Sequence, residues 1–230
     1  MIHAYGHPNP PVPRLLAALA ARGYSVGPAG AAPGGDGSTL ALAGGAALDS
    51  MALGVLLGAW RAAPGARVLV LSRIGAHPDA RAPGLRALWR LEEYARASGL
   101  PVLTLRLAPL LGPASPLWLM LRQRPRLPRG GRQVLNPVAE SDAVETIVRA
   151  LDGRAAWEGW YEVAGPEALS LADLAALAQA APPVEPGAGA AWEPPLRELE
   201  EQRLAESGAW REHFRIEPRP FAELAKEWTA

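Results

Sequence analysis

Cysteine is absent from the 230-residue chain, which excludes disulfides and thiolate-bound metals. Lysine is nearly absent: Lys226 is the single lysine beside 22 arginines. Chemistry that needs a lysine beside a tyrosine must find it at position 226 or do without. The four histidines, His3, His7, His77 and His213, lack the His-Glu-x-x-His spacing of a zinc site, so no metal is expected. No apolar run approaches the roughly 18 residues of a membrane span, and the start has no basic region leading into an apolar segment. A soluble, cytoplasmic protein is expected. An excess of positive charge is also missing: 23 basic residues balance 23 acidic ones, which argues against a dedicated nucleic-acid binder. The one dense basic run, RQRPRLPRGGR at 122–132, reads as a solvated loop in preference to a phosphate-binding surface.

Apolar residues make up 49% of the chain, enough for a well-buried core, and the length suits one large domain or a domain with a small appendage. The arginine-for-lysine skew, with abundant Ala, Leu, Gly and Pro, suggests a GC-rich genome and a thermophilic source. Short apolar runs bounded by turn residues predict strands at 1–5, 24–26, 39–43, 67–72, 101–106 and 160–164. Between them, helical periodicity covers 13–22, 46–62, 84–98, 141–151 and 170–180. Pro13 suits a first helical turn and Gly23 a stop. Ser141 and Ser170 are expected as caps, with Asp142 complementing a helix start and Asp173 at the capping-box position. Leu85, Leu88, Trp89, Glu92 and Ala95 fall near one face of the helix at 84–98.

Alternating strands and helices imply an α/β, Rossmann-like, doubly wound parallel sheet over residues 1–180. The Pro/Gly/Ala-rich stretch at 181–195 marks the end of that domain, and 181–230 is expected to be a linker and a small, mostly helical extension with one charged helix at 196–207. Ligands in such sheets bind beyond the carboxyl ends of the strands, at the topological switch point. The residues of interest therefore follow strands: Gly6 to Asn9, Gly44 and Gly45, Ser72 to His77, and Ala108 to Gly112.

The segments VLVLSRIGA, LRALWRLEEYARASGLPVLTLRLAPLLGP, NPVAESDAVETIVRALDG and WYEVAGPEALSLADLAALA, in this order over about 66–180, resemble the short-chain dehydrogenase/reductase superfamily. The likeness is to its extended and atypical branch of NAD-dependent epimerases and dehydratases. The first 65 residues match more loosely, and a βα unit common in the family is expected to be missing between the second and third strands. The resemblance implies NAD or NADP as cofactor and a Ser/Tyr/Lys catalytic set.

Each implication can be tested on the residues. Aligning RASGL puts the tyrosine position at Gly84 and the lysine position at Leu88, and none of Tyr5, Tyr24, Tyr94 or Tyr161 has a lysine four residues on. A tyrosine titrates near 10, so without a neighbouring cation it is a poor base at neutral pH. Ser72 stands at the serine position, where a hydroxyl without partners is expected to be a strand-end hydrogen-bonder.

The family's Gly-x-x-Gly-x-x-Gly loop falls on Gly6, Asn9 and Val12 within YGHPNPPVP. Pro8, Pro10, Pro11 and Pro13 have no N–H to offer a phosphate. Only Gly6, His7 and Asn9 remain as cofactor-binding candidates, no acidic residue ends the second strand, and ordinary dinucleotide binding is not expected.

Ser72 and His77, with His7, are the catalytic candidates for an alternative chemistry, but no acidic residue is placed to orient a histidine. Arg106 is expected in a structural ion pair or hydrogen-bonded to its loop. Glu92 and Glu93 point differently and make no acid/base pair. Trp89, Trp118 and Trp160 read as core or pocket wall, and Trp192, Trp210 and Trp228 as anchors for the tail.

Three readings stay open: a non-catalytic relative that binds a small ligand or partner, an enzyme using NAD(P) with a reorganised site, and a structural subunit. In the third, helices 46–62 and 84–98 would offer a two-helix surface to another protein or to a second copy of the chain.

Overall fold

The computed structural model describes residues 1–5, 11–28, 37–43, 50–180, 199 and 204–229. Strands β1 (Ile2–Tyr5), β2 (Val26–Pro28), β3 (Thr39–Ala43), β4 (Arg67–Arg73), β5 (Val102–Leu107) and β9 (Trp160–Val163) form a six-stranded sheet in the order β2-β1-β3-β4-β5-β9. The sheet is parallel, with Ile2 opposite Val26 and Thr39, and Thr39 opposite Arg67. Helices α1 (Pro11–Ala21), α2 (Ser50–Arg61), α3 (Pro83–Ala97) and α5 (Glu140–Leu151) alternate with these strands, as in a Rossmann-like α/β fold.

The expected missing unit is visible in the topology. A doubly wound sheet of strand order 3-2-1-4-5-6 places one more strand outside the second. Here β2 is the edge, and only residues 29–38 separate it from β3, too few for a strand and a crossover helix.

Two compact units divide the chain: Met1–Arg106 with Val148–Tyr161, and Leu107–Ile147 with Glu162–Ala230. In the first, β3 is buried along its whole length, as a strand covered on both faces must be. Leu40, Leu42, Val68 and Val70 point to one side and pack against Leu53, Leu57 and Trp60 of α2 and Leu85, Leu88 and Leu91 of α3. Tyr24 lies just before β2, not in it, and its hydroxyl donates to Asp152. Arg67, at the start of β4, donates to the Thr39 hydroxyl (3.0 Å) and the Leu151 carbonyl (3.2 Å) and lies 4.0 Å over the Trp157 ring. The Leu151 bond satisfies a carbonyl at the end of α5.

Burial first, then the hydrogen bond and charge of Asp152, push the Tyr24 pKa up to about 12. The folded value lies above the free value of about 10, so the resulting stability is fully present below pH 10 and lost as pH rises through about 12. A near-ultraviolet titration should show one late tyrosine, and Asp152→Asn should bring it forward.

The second unit contains, among its described residues, two short ladders, most of α5 and four further α-helices. β6 (Leu110–Leu111) pairs in parallel with β8 (Val138–Ala139), and β7 (Val134–Leu135) pairs antiparallel with β10 (Leu169–Ser170). Its core gathers Leu117, Trp118 and Leu121 of α4 (Pro116–Arg122), Leu171 and Leu174 of α6 (Leu171–Gln179), and Phe221 of the last helix. That last helix is α8 (Phe221–Thr229), preceded by α7 (Gly208–Phe214). The Ser170–Asp173 capping box forms as expected. Ser141 does not cap its helix: α5 starts one residue earlier, at Glu140, which puts Ser141 inside the first turn. The charged helix expected at 196–207 fails at its end, because 204–207 are not helical; apart from Leu199, its remainder lies outside the described residues.

Candidate functional site

Strands β1 and β3 flank the point where strand order reverses. Gly6, His7 and Asn9, with Gly44 and Gly45, lie outside the described residues. The sites that can be described follow β4 and β5.

Ser72 is the penultimate residue of β4 and is 1% exposed. Its Oγ donates to Oε1 of Glu92, at 2.5 Å. Glu92 lies on the buried stripe of α3 with Leu85, Leu88, Leu91 and Ala95, and is itself 1% exposed. Arg106 of β5 grips the same carboxylate with both ends of its fork: Nε donates to Oε1 at 3.0 Å, and Nη2 to Oε2 at 2.6 Å. A buried carboxylate needs such compensation, since an unpaired charge away from water is strongly disfavoured. The outer face of the Arg106 guanidinium lies 4.5 Å from the Trp160 ring. Trp160 is 50% exposed, so the expectation that it forms core or pocket wall is corrected: it stands at the start of β9 and covers a cation with its face.

The strand-end role expected for Ser72 and the ion pair expected for Arg106 are both present, on one shared carboxylate. Glu92 and Glu93 do diverge: Glu93 pairs on the surface with Arg96. Sequence reasoning missed that Glu92 is the hub. The available signal was an acid on an apolar helix stripe, which calls for a buried partner.

Gly84 sits in the first turn of α3, and Leu88 is 3% exposed within the core of the first unit. Neither can carry a proton. Tyr94 is on the exposed side of the same helix. His77 follows β4 in a loop with its side chain 64% exposed. Its Nδ1 accepts the Asp79 N–H at 3.2 Å, and the Asp79 carboxylate is 3.8 Å away. An acid is thus closer to His77 than expected, but at 90% exposure it is solvated and does not fix the ring. No hydrogen bond joins Ser72 to His77, so this catalytic pair is not assembled.

At the end of β2, Val26, Gly27 and Pro28 offer no carboxylate to a ribose. The end of β2 and the positions of Gly84 and Leu88 therefore do not supply the side chains by which the family usually holds and uses a hydride cofactor. No group of three or more His, Cys, Asp or Glu side chains is placed to hold a metal among the described residues. None of their helices is long and apolar enough to cross a membrane.

In the second unit, Asp142 lies in the first turn of α5, and burial raises its carboxyl above the usual range, partly offset by the Ser141 hydroxyl and by Arg219. Asn136 and Glu162 are buried polar residues whose heads bond to main chain. The basic run carries two of the three non-glycine residues with positive φ among those described, Arg124 and Arg129. Arg124, Arg126, Arg129 and Arg132 are exposed, in keeping with a solvated loop.

No protein-family model matches the chain and no curated protein matches it. Solved structures do. MoeE5 in complex with UDP-glucose and NAD is similar over 99% of this chain and 98% of its own, with 16% identity and a TM-score of 0.64. A UDP-glucuronic acid 4-epimerase variant from Bacillus cereus, with a fluorinated substrate analogue and NAD, covers 100% of this chain and 98% of its own at 13% identity and a TM-score of 0.67. TunA, an NAD-dependent NDP-hexosamine 5,6-dehydratase of tunicamycin biosynthesis, covers 99% of this chain and 97% of its own at 15% identity and a TM-score of 0.63. The chain has the fold of these three proteins.

Proposed function

We propose that this chain is a non-catalytic member of the epimerase/dehydratase-like branch, keeping the Rossmann-like scaffold as a module that binds a small ligand or a partner. The observation that carries this reading is the engagement of Ser72. Its hydroxyl donates into a carboxylate already gripped by Arg106, while Leu88 fills a core position where a lysine would be needed. A serine that polarises a substrate must have its hydroxyl available, and a tyrosine base needs a nearby cation. Neither condition is met by the described residues. Incubation with UDP-glucose or UDP-glucuronic acid and NAD, followed by NMR of the sugar ring, should return unchanged substrate; an epimer or dehydration product would refute the proposal.

A second reading, an NAD(P)-using enzyme with a reorganised site, is favoured by the near end-to-end likeness to proteins solved with NAD and UDP-sugars. His77 would then be its acid/base, and His77→Ala would abolish turnover. A structural, homodimeric role draws on the outer face of α2, where Met51 and Val55 are 77% and 72% exposed. In the proposed reading the protein acts in the cytoplasm.

A further inference from the structure

The main chain of residues 205 and 206 is held by the second unit in a manner their side chains do not explain. Leu204 and Glu206 are exposed and Ala205 is half-buried, so this stretch buries little apolar surface. Its main chain is gripped instead. Asn136 donates from Nδ2 to the Ala205 carbonyl at 3.0 Å and accepts the Ala205 N–H on Oδ1, also at 3.0 Å. One side-chain amide thereby satisfies both backbone groups of a residue, as a neighbouring strand would. The next N–H, that of Glu206, donates to Oε2 of Glu162 at 2.7 Å. Asn136 is 9% exposed and Glu162 5%, so both receptor groups are built into the body of the unit. Beyond them Trp210 is fully buried, and its indole N–H donates to the Thr146 hydroxyl at 3.0 Å. Phe221 joins the core, and its N–H donates to Glu167.

We propose that Asn136 and Glu162 form a receptor for extended peptide main chain, and that residues 204–229 are its tethered internal ligand. The strap is held by these contacts and not by covalent continuity through 181–203. Recognition through N–H and C=O groups is tolerant of the side chains at 204–206 and strict about Asn136, the logic by which a sheet edge accepts a peptide strand. A tethered ligand experiences a local concentration that reaches the order of millimolar. Even a micromolar intrinsic affinity would leave it displaced only about one part in a thousand of the time. Such a strap yields to cutting of the connection or to a tighter competing peptide. The inference is independent of whether a dinucleotide binds.

The test starts from the full chain carrying one protease site within 187–190. After cutting, size-exclusion chromatography with native mass spectrometry should find the tail fragment still bound, one per body. A labelled peptide of residues 204–229 should exchange into the cut protein. Leu204→Ser or Glu206→Arg in that peptide should change its affinity less than about threefold, whereas Asn136→Ala in the body should weaken it about tenfold or more. In the uncut chain, Asn136→Ala should speed hydrogen exchange at the Ala205 and Glu206 amides about tenfold, with α7 unaffected. The proposal is overturned if the tail leaves a body that stays folded, or if the body unfolds on cutting. It is equally overturned if Glu206→Arg costs as much as Asn136→Ala, or if exchange at Ala205 is unchanged by Asn136→Ala.

Discussion

Replacing Gly165 by alanine is expected to destabilise the protein by about 3 kcal/mol, at the upper end of ordinary overpacking. A Cβ at this position would lie 2.1 Å from the Pro137 carbonyl oxygen, a distance no pair of nonbonded atoms tolerates. The obstacle is main chain, so no rotamer change relieves it. Moving the chain away would stretch the bonds that bring it close: the Gly165 N–H donates to the Pro137 carbonyl at 3.0 Å and to that of Asn136 at 3.2 Å. The same movement would disturb Asn136, whose amide holds Ala205. In a chain of this length the change should lower the melting temperature by roughly 6–12 °C. Gly58→Ala is the control. Gly58 is exposed within α2, nothing lies within 4 Å of an added Cβ, and alanine there should stabilise by about 0.5–1 kcal/mol.

Glu92→Ala should be comparably severe, costing about 3–5 kcal/mol, because it leaves the Arg106 guanidinium and the Ser72 hydroxyl without their acceptor. The Arg106 side chain is 17% exposed, so water can reach part of the orphaned charge, and the lower end of that range is expected. Ser72→Ala removes one donor and should cost only about 1 kcal/mol. Exchanging both partners, Glu92→Met with Arg106→Met, should recover most of the loss, since the penalty lies in the unpaired charge and not in the absence of the pair. Urea denaturation of the three variants checks this ordering. Equal losses for Ser72→Ala and Glu92→Ala would show that the carboxylate is not the hub.

Much of this architecture was legible in the residues. The six main strands and five helices announced themselves through apolar runs ended by Gly or Pro, and the shortened sheet through the brevity of the segment between Val26 and Thr39. The two-residue strands β6, β7, β8 and β10 were not legible, because a pair of residues has no periodicity and gains its partner only from tertiary placement. Helix α4 was also missed: seven residues behind Ser115 and Pro116 carry a start signal but little more than one repeat. Asn136 and Glu162 gave no hint of their role, since their partners are backbone groups 69 and 44 residues away. Arg106 and Ser72 were assigned bonds without an acceptor, and the acceptor was the one charged residue on the apolar stripe of α3.

A non-catalytic scaffold of the kind proposed above is expected to have lost ordinary dinucleotide binding. Titration with NADH and with NADPH, followed by energy transfer from the eight tryptophans to the reduced nicotinamide, tests it most directly. No saturable transfer is expected at micromolar cofactor. Saturable transfer with a micromolar dissociation constant would contradict it.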